Sequence, residues 1–174
     1  KQEPLYIVDG SGFIFRAYFG IRAPMSAKDG TPTNAVYGFV RLLLNAIRDK
    51  KAKNLVVVFD PPGPTFRVDI YDAYKANRSA TPEDLIPQFA LCREAVEKLN
   101  IPSCEVSGFE ADDVIATLAR HWIESQSERD CVIITADKDL CQLVTDRVTL
   151  WDGKEKETDA DGVVTKFGVP PSLV

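Results

Sequence analysis

Apolar residues along this chain fall into two kinds of run. The first kind is short and unbroken: Leu5-Tyr6-Ile7-Val8 stops at Asp9, Leu55-Val56-Val57-Val58-Phe59 stops at Asp60, and Cys131-Val132-Ile133-Ile134 leads into Thr135-Ala136-Asp137. Unbroken rather than alternating apolar residues are what a central strand covered on both faces requires. Ile101 to Val106 and Val148 to Trp151 are weaker strands of the same kind. The second kind has helical spacing. Ala35, Val36, Phe39, Val40, Leu43, Leu44 and Ile47 form one stripe, and Val114, Ile115, Leu118, Ala119 and Trp122 another. Leu85, Phe89, Cys92, Val96 and Leu99 form a third, and Thr81-Pro82-Glu83-Asp84 before it reads as an N-cap, a first-turn proline and first-turn acids. Strands alternating with helices predict an α/β fold, a mostly parallel central sheet with helices on both faces. No repeat, low-complexity tract or linker divides it, so residues 1–174 are expected to form a single domain.

Two stretches fit this scheme poorly. From Pro61 to Pro82 the chain is polar, aromatic and basic, with Arg67, Tyr71, Tyr74, Lys75 and Arg78, and it is long for a connection. At the end, Phe167-Gly168-Val169-Pro170-Pro171-Ser172-Leu173-Val174 reads as the opening of a further helix that is cut off.

Composition narrows the picture modestly. With 174 residues, 45% of them hydrophobic, the chain can bury one sizeable core. No apolar stretch is long enough to span a bilayer, so no membrane partner is expected. Lys1-Gln2-Glu3-Pro4-Leu5 enters a strand directly, without signal-peptide features. Cys92, Cys104, Cys131 and Cys141 stand far apart, three of them in apolar runs; buried reduced thiols and a cytoplasmic location are expected. His121 has no second His or Cys at ligand spacing and reads as an ordinary helix residue. The net charge of −5 neither points to nucleic acid nor excludes it. Two divalent ions would offset four negative charges in an acidic pocket, leaving the 21 Lys and Arg to form a local basic surface.

The acids change the picture most. In a parallel α/β sheet, ligands bind beyond the carboxyl ends of the strands. Asp9, Asp60, and Asp137 with Asp139 finish predicted strands there. Glu110-Ala111-Asp112-Asp113 opens a helix that follows a strand, so its start lies at the same end. Glu110 and Asp113, three apart, share a helix face, and Asp112 flanks them. Seven carboxylates in one pocket repel and cannot all stay ionised unaided. Mg2+ or Mn2+ relieves this, because hard cations take oxygen ligands. Two such ions about 4 Å apart activate water and stabilise an attacked phosphate, which is phosphodiester hydrolysis. Each acid also has a structural reading. Asp9-Gly10 and Asp60-Pro61 are turn signals, and Ser107-Gly108-Phe109-Glu110 matches a capping box. Asp112 and Asp113 suit a helix N-terminus, and Asp137-Lys138-Asp139 can cap a short helix through Leu140 and Leu143. Their shared position at one end of one sheet favours the metal site.

In order along the chain stand Ile7-Val8-Asp9-Gly10-Ser11, Arg16-Ala17-Tyr18, Val58-Phe59-Asp60, Tyr74-Lys75-Ala76-Asn77-Arg78, Gly108-Phe109-Glu110-Ala111-Asp112-Asp113 and Thr135-Ala136-Asp137-Lys138-Asp139-Leu140. This ordered set closely resembles the N-terminal 5′-nuclease domain of bacterial DNA polymerase I, within the flap endonuclease and PIN-like group. The resemblance runs through Lys166-Phe167-Gly168-Val169-Pro170-Pro171 and implies a magnesium-dependent enzyme that removes 5′ ends, flaps and RNA primers in replication and repair. It implies that Asp9, Asp60, Glu110, Asp112, Asp113, Asp137 and Asp139 bind metal. By the same resemblance Lys75 and Arg78 contact the scissile phosphate from a helical arch or clamp over residues 61–82, and Arg16 touches phosphate. It also implies a further aspartate pair and a helical hairpin DNA-binding module beyond Val174, so this chain furnishes the first metal position and lacks ligands for the second. Asp159 and Asp161 cannot be matched to that pair.

The leading expectation is therefore a two-metal phosphodiesterase acting, as a monomer, on DNA with 5′ flaps or 5′ ends. An aspartyl-phosphate phosphatase using Asp9 would want an acid two residues on, where Ser11 stands. A truncated, catalytically weak module that binds nucleic acid or protein is the remaining alternative.

Overall fold

A computed structural model describes residues 3–71, 73–74, 80–125 and 128–174. Six strands form one sheet: β1 (Leu5–Asp9), β2 (Asn54–Val58), β3 (Ser103–Cys104), β4 (Cys131–Ile134), β5 (Val148–Trp151) and β6 (Glu157–Thr158). Their order across the sheet is β3-β2-β1-β4-β5-β6. β1 pairs in parallel with β2, Asp9 opposite Val58, and with β4, Val8 opposite Ile134. Only β6, at one edge, runs antiparallel. The chain winds outward from β1 on one side, then crosses back to β4 on the other. The carboxyl ends of β1 and β4 therefore flank the topological switch point, where open α/β sheets form their crevice.

The unbroken strands are buried on both faces, as their sequence requires. Tyr6, Val8, Val57 and Ile134 join a core with Phe13, Phe39, Leu43, Cys92 and Val96, from helices α1 (Gly10–Gly20), α2 (Asn34–Asp49) and, beyond the short helix α3 (Phe66–Ile70), α4 (Ile86–Lys98). Ile7, Val58, Ile133 and Leu150 join a second core with Val114, Ile115, Ala119 and Val163, from α5 (Ala111–Ser125) and α6 (Ala160–Phe167). Ile7, Val8, Val57 and Ile133 are wholly inaccessible, each burial contributing about 1.5–3 kcal/mol. Cys92, Cys131 and Cys141 are buried, Cys104 is half-buried, and all four are free thiols. Among the described residues no helix is long and apolar enough to cross a membrane.

Several elements differ from expectation. Asp9-Gly10 is no turn but the N-terminus of α1, which the glycines at 10, 12 and 20 conceal in the sequence. α4 begins at Ile86, not after Thr81. Pro87 has no N–H to donate to the Glu83 carbonyl, so the helical ladder cannot run back through it. Pro82 to Leu85 instead forms a separate turn, with the Pro82 carbonyl accepting from Leu85 N–H at 3.0 Å. The strand expected over Ile101 to Val106 shrinks to β3, with Ser103 opposite Val57 and Cys104 opposite Val58. Pro102 lacks the N–H needed to extend it. Asp159 caps α6, accepting from Gly162 N–H at 2.9 Å. The terminal segment forms a 3-10 turn, Pro171–Leu173.

Candidate metal centre

β1 delivers Asp9 to the switch point and buries it, at 5% exposure. Its Oδ1 accepts from Gly12 N–H at 2.9 Å, capping α1, and its Oδ2 accepts from the Thr135 hydroxyl at 3.0 Å. This packing dictates the residues that follow. A Cβ at position 10 would lie 2.8 Å from the Val58 carbonyl oxygen, and one at position 12 would overlap the Asp9 carboxylate itself. Ser11 is buried between them, its Oγ accepting from Asp60 N–H at 2.9 Å. The first helix and the end of β2 are thereby locked together.

Asp60 in turn caps α5: its Oδ1 accepts from Ala111 N–H at 2.7 Å. That contact brings the first turn of α5, with Asp112 and Asp113, against the strand ends. On the other flank, the Thr135 hydroxyl oxygen accepts from Asp137 N–H at 2.9 Å while its proton goes to Asp9. Asp137 Oδ1 accepts from Asp139 N–H at 2.9 Å, opening the 3-10 helix Asp139–Leu143. Thr135 thus ties β1 to the loop beyond β4.

The acids interact strongly. Burial pushes the Asp112 carboxyl up to about 6, and repulsion from Asp9, Asp137, Asp60 and Glu110 adds to it. Burial likewise raises Asp9 above the ordinary carboxylate range, against the lowering effect of Gly12 N–H and Thr135, with Asp60 and Asp137 raising it further. Five acids therefore share one electrostatic neighbourhood. Oxygens of Asp9, Asp60, Glu110 and Asp137 accept from backbone or hydroxyl donors. Among the described residues no three His, Cys, Asp or Glu side chains converge closely enough to hold an ion as they stand.

Beside them lies a cation. Arg67, on α3, grips Asp113 with both guanidinium nitrogens at 2.5 and 2.7 Å, and lies 3.7 Å from Glu110 Oε2. The Tyr74 hydroxyl donates to the same Glu110 oxygen at 3.2 Å. Glu110 N–H donates to Asp113 Oδ2 at 3.2 Å, so the acid that closes the helix cap is Asp113, three residues beyond the Ser107–Glu110 box expected from sequence.

The model of the family described as 5′-3′ exonuclease, N-terminal resolvase-like domain, matches residues 4–168. This chain belongs to that exonuclease family. It is 47% identical over 179 aligned residues to a DNA polymerase I of Rhizobium leguminosarum, covering 98% of this chain and 17% of that protein. It is 42% identical to a 5′-3′ exonuclease of Aquifex aeolicus, covering 99% of this chain and 59% of the relative. The chain thus spans a small part of the polymerase and over half of the separate exonuclease. Its fold is also that of a T5 5′-exonuclease solved with divalent zinc ions bound, at TM-score 0.69 and 22% identity over 95% of this chain and 61% of that one.

Within this exonuclease-family core, the structure gathers Asp9, Asp60, Glu110, Asp112 and Asp137 into one field. Asp113 faces Arg67, and Asp139 is exposed at the start of the 3-10 helix. Arg16 is half-buried and donates to the Asp152 carbonyl at 2.6 Å, with its guanidinium 5.4 Å from the Phe13 ring centroid. Lys75 and Arg78 lie outside the described residues. α3 is the helix found in the part of the 61–82 segment that is described. Sequence reasoning missed the roles of Ser11, Thr135, Arg67 and Tyr74. The available signal was positional: Thr135 stands immediately past a buried strand and Ser11 two residues past another, where a side chain must satisfy what the strand no longer pairs.

Proposed function

We propose that this chain is the catalytic core of a divalent-metal-dependent 5′-nuclease that hydrolyses phosphodiesters at the 5′ ends and 5′ flaps of DNA, RNA primers included. The observation that carries the reading is Asp112, an acid held half-buried among Asp9, Asp60, Glu110 and Asp137. Asp9 and Glu110 are buried, Asp112 is half-buried, and Asp60 and Asp137 stand exposed at the rim. Crowding carboxylates around such a partly buried site is costly unless a cation offsets them. The donors are all carboxylate oxygens, with neither thiolate nor imidazole, which suits Mg2+ or Mn2+. Asp9, Asp60, Asp112 and Asp137 would hold the ion with Glu110 behind them, and Asp139 would act at longer range. Bound there, a divalent cation acidifies water and neutralises charge on a phosphodiester.

The rest falls to the chain itself. Gly12 N–H and the Thr135 hydroxyl fix both oxygens of Asp9, so the charge it presents is oriented beforehand. Asp60 is aimed by its own backbone contact to Ser11 and its cap on α5. By the family resemblance, Lys75 and Arg78 would meet the scissile phosphate. Arg16 would support the phosphate from α1. The family membership and the polymerase and exonuclease relatives support DNA as the substrate, and the free cysteines support a cytoplasmic location.

The test is cleavage of a 5′-labelled flap by the full-length protein. Cleavage should require Mg2+ or Mn2+, stop with chelator, and be lost in Asp60→Ala. Parental rates in that variant, or cleavage in excess chelator, would refute the proposal.

A further inference from the structure

We propose that Arg67 is a positioning residue that moors the base of the 61–82 segment to the acid cluster and keeps Asp113 out of the metal-holding set. The inference rests on the nuclease reading above and specifies how that site is organised.

α3 is five residues long, too short to persist alone in water, so tertiary contacts must hold it in place. Among the described residues, several of these contacts run to one short stretch, residues 108–113. Phe66 N–H donates to the Gly108 carbonyl at 2.9 Å, and the rings of Phe66 and Phe109 lie 5.5 Å apart. The Arg67 guanidinium is 4.7 Å from the Phe66 ring centroid and 6.0 Å from that of Tyr74, so both rings pack against it beside α5.

Asp113 is fully engaged by this arrangement. Its Oδ1 accepts from one Arg67 nitrogen, and its Oδ2 accepts from the other and from Glu110 N–H. Two parallel charge-assisted bonds fix direction as well as distance, and an ion would have to displace them to use this carboxylate. Both side chains are less than a third exposed, at 29% and 27%, so the pair is better shielded than an ordinary surface bridge. Asp112, one residue earlier, feels Asp9, Asp60 and Asp137 instead. Neighbouring acids on one helical turn thus face different tasks. Glu110 joins them, meeting Arg67 and Tyr74 on one side and Asp112 on the other.

The mooring acts on the site through Glu110. Arg67 and Tyr74 both hold its carboxylate, which lies within the field of Asp112, so losing Arg67 should shift the acid beside the metal-holding set. A misplacement of about 1 Å in a positioned group can cost about 10²-fold in rate. Breaking the mooring should therefore slow cleavage without emptying the metal site.

The experiment compares full-length parent, Arg67→Met, Arg67→Lys, Asp113→Asn, the Arg67→Met/Asp113→Asn double variant and Asp112→Asn. Mn2+ affinity is measured by calorimetry, and single-turnover cleavage at saturating 5′-flap DNA by quenched flow. Arg67→Met and Asp113→Asn should bind Mn2+ within about 3-fold of parent yet cleave about 10²-fold more slowly. The double variant should be little slower than either single one, because one interaction is lost only once. Arg67→Lys keeps the charge without the fork and should remain slow. Should Arg67→Met fold poorly, Asp113→Asn removes the same ion pair and retains an acceptor for Glu110 N–H. The proposal is overturned if Asp113→Asn weakens Mn2+ binding as much as Asp112→Asn does, or if Arg67→Met cleaves at the parental rate. A parent that neither binds Mn2+ nor cleaves overturns the nuclease reading as well.

Discussion

Replacing Asp112 by Asn should stabilise the protein in chelator and weaken it, relative to parent, in Mn2+. Asp112 stands in the first turn of α5 with its carboxyl pushed from 3.8 up to about 6. That gap corresponds to about 3 kcal/mol in favour of the protonated form. The side chain is only half-buried, and solvent screening reduces the figure to about 1.5 kcal/mol. Asn forfeits about 0.5 kcal/mol of favourable interaction with the helix N-terminus. The net expectation at neutral pH is about 1 kcal/mol of stabilisation, or about 2–4 °C in Tm for a domain of this size. The pH dependence follows from the direction of the shift. An acid whose folded pKa exceeds its unfolded one keeps its proton longer in the native state, so stability falls as pH rises from about 4 to about 6. Asp112→Asn should flatten that fall. The assay is thermal unfolding from pH 4 to 8 with EDTA, then with saturating Mn2+, where parent should gain more than the variant by linkage. A variant less stable than parent in EDTA at pH 7.5, or an unchanged pH slope, would refute the electrostatic argument.

Two further predictions concern the frame. Gln88 is fully buried and accepts from Ala35 N–H at 2.8 Å and Val36 N–H at 3.3 Å, while donating to Asn34 and to the Asp84 carbonyl. Gln88→Ala strands those helix-terminal donors and should cost about 3 kcal/mol, lowering Tm by about 6–12 °C in calorimetry with Mn2+ affinity kept; a drop under about 3 °C would contradict it. Burial pushes the Cys92 and Cys131 thiols up to about 12. At pH 8 each is then only about 10⁻⁴ thiolate, so a thiol reagent followed by peptide mass mapping should label Cys104 at least about 100-fold faster until the protein unfolds; equal rates would contradict the burial.

What could be read from the chain depended on whether a local signal matched its tertiary setting. Ile7, Val57 and Ile133 sit in unbroken apolar runs because both faces of their strands are covered, and the sheet was legible from them. α1 was not legible. Its glycines weaken the helical pattern, and the need for them arises only when Asp9 and β2 close against that turn. Proline shortened two elements that apolar spacing extended, at Pro87 and Pro102. In the site, the strand-end acids were visible because parallel sheets present their carboxyl ends together. The division of labour between Asp112 and Asp113 was not, since both suit a helix N-terminus equally well. Only the arrival of Arg67 from 46 residues away separates them. Thr135 was similarly silent: a threonine after a strand is ordinary until its hydroxyl is found bridging Asp9 and Asp137.

The central claim is that Asp9, Asp60, Asp112 and Asp137 together hold a divalent cation. An anomalous difference map from a crystal of the protein grown with Mn2+ tests it most directly. The account predicts a peak bounded by oxygens of those four carboxylates at the ends of β1, β2 and β4, with Asp113 still paired to Arg67. A map without a peak there at millimolar Mn2+, or with the ion on Asp113 and Arg67 displaced, would contradict it.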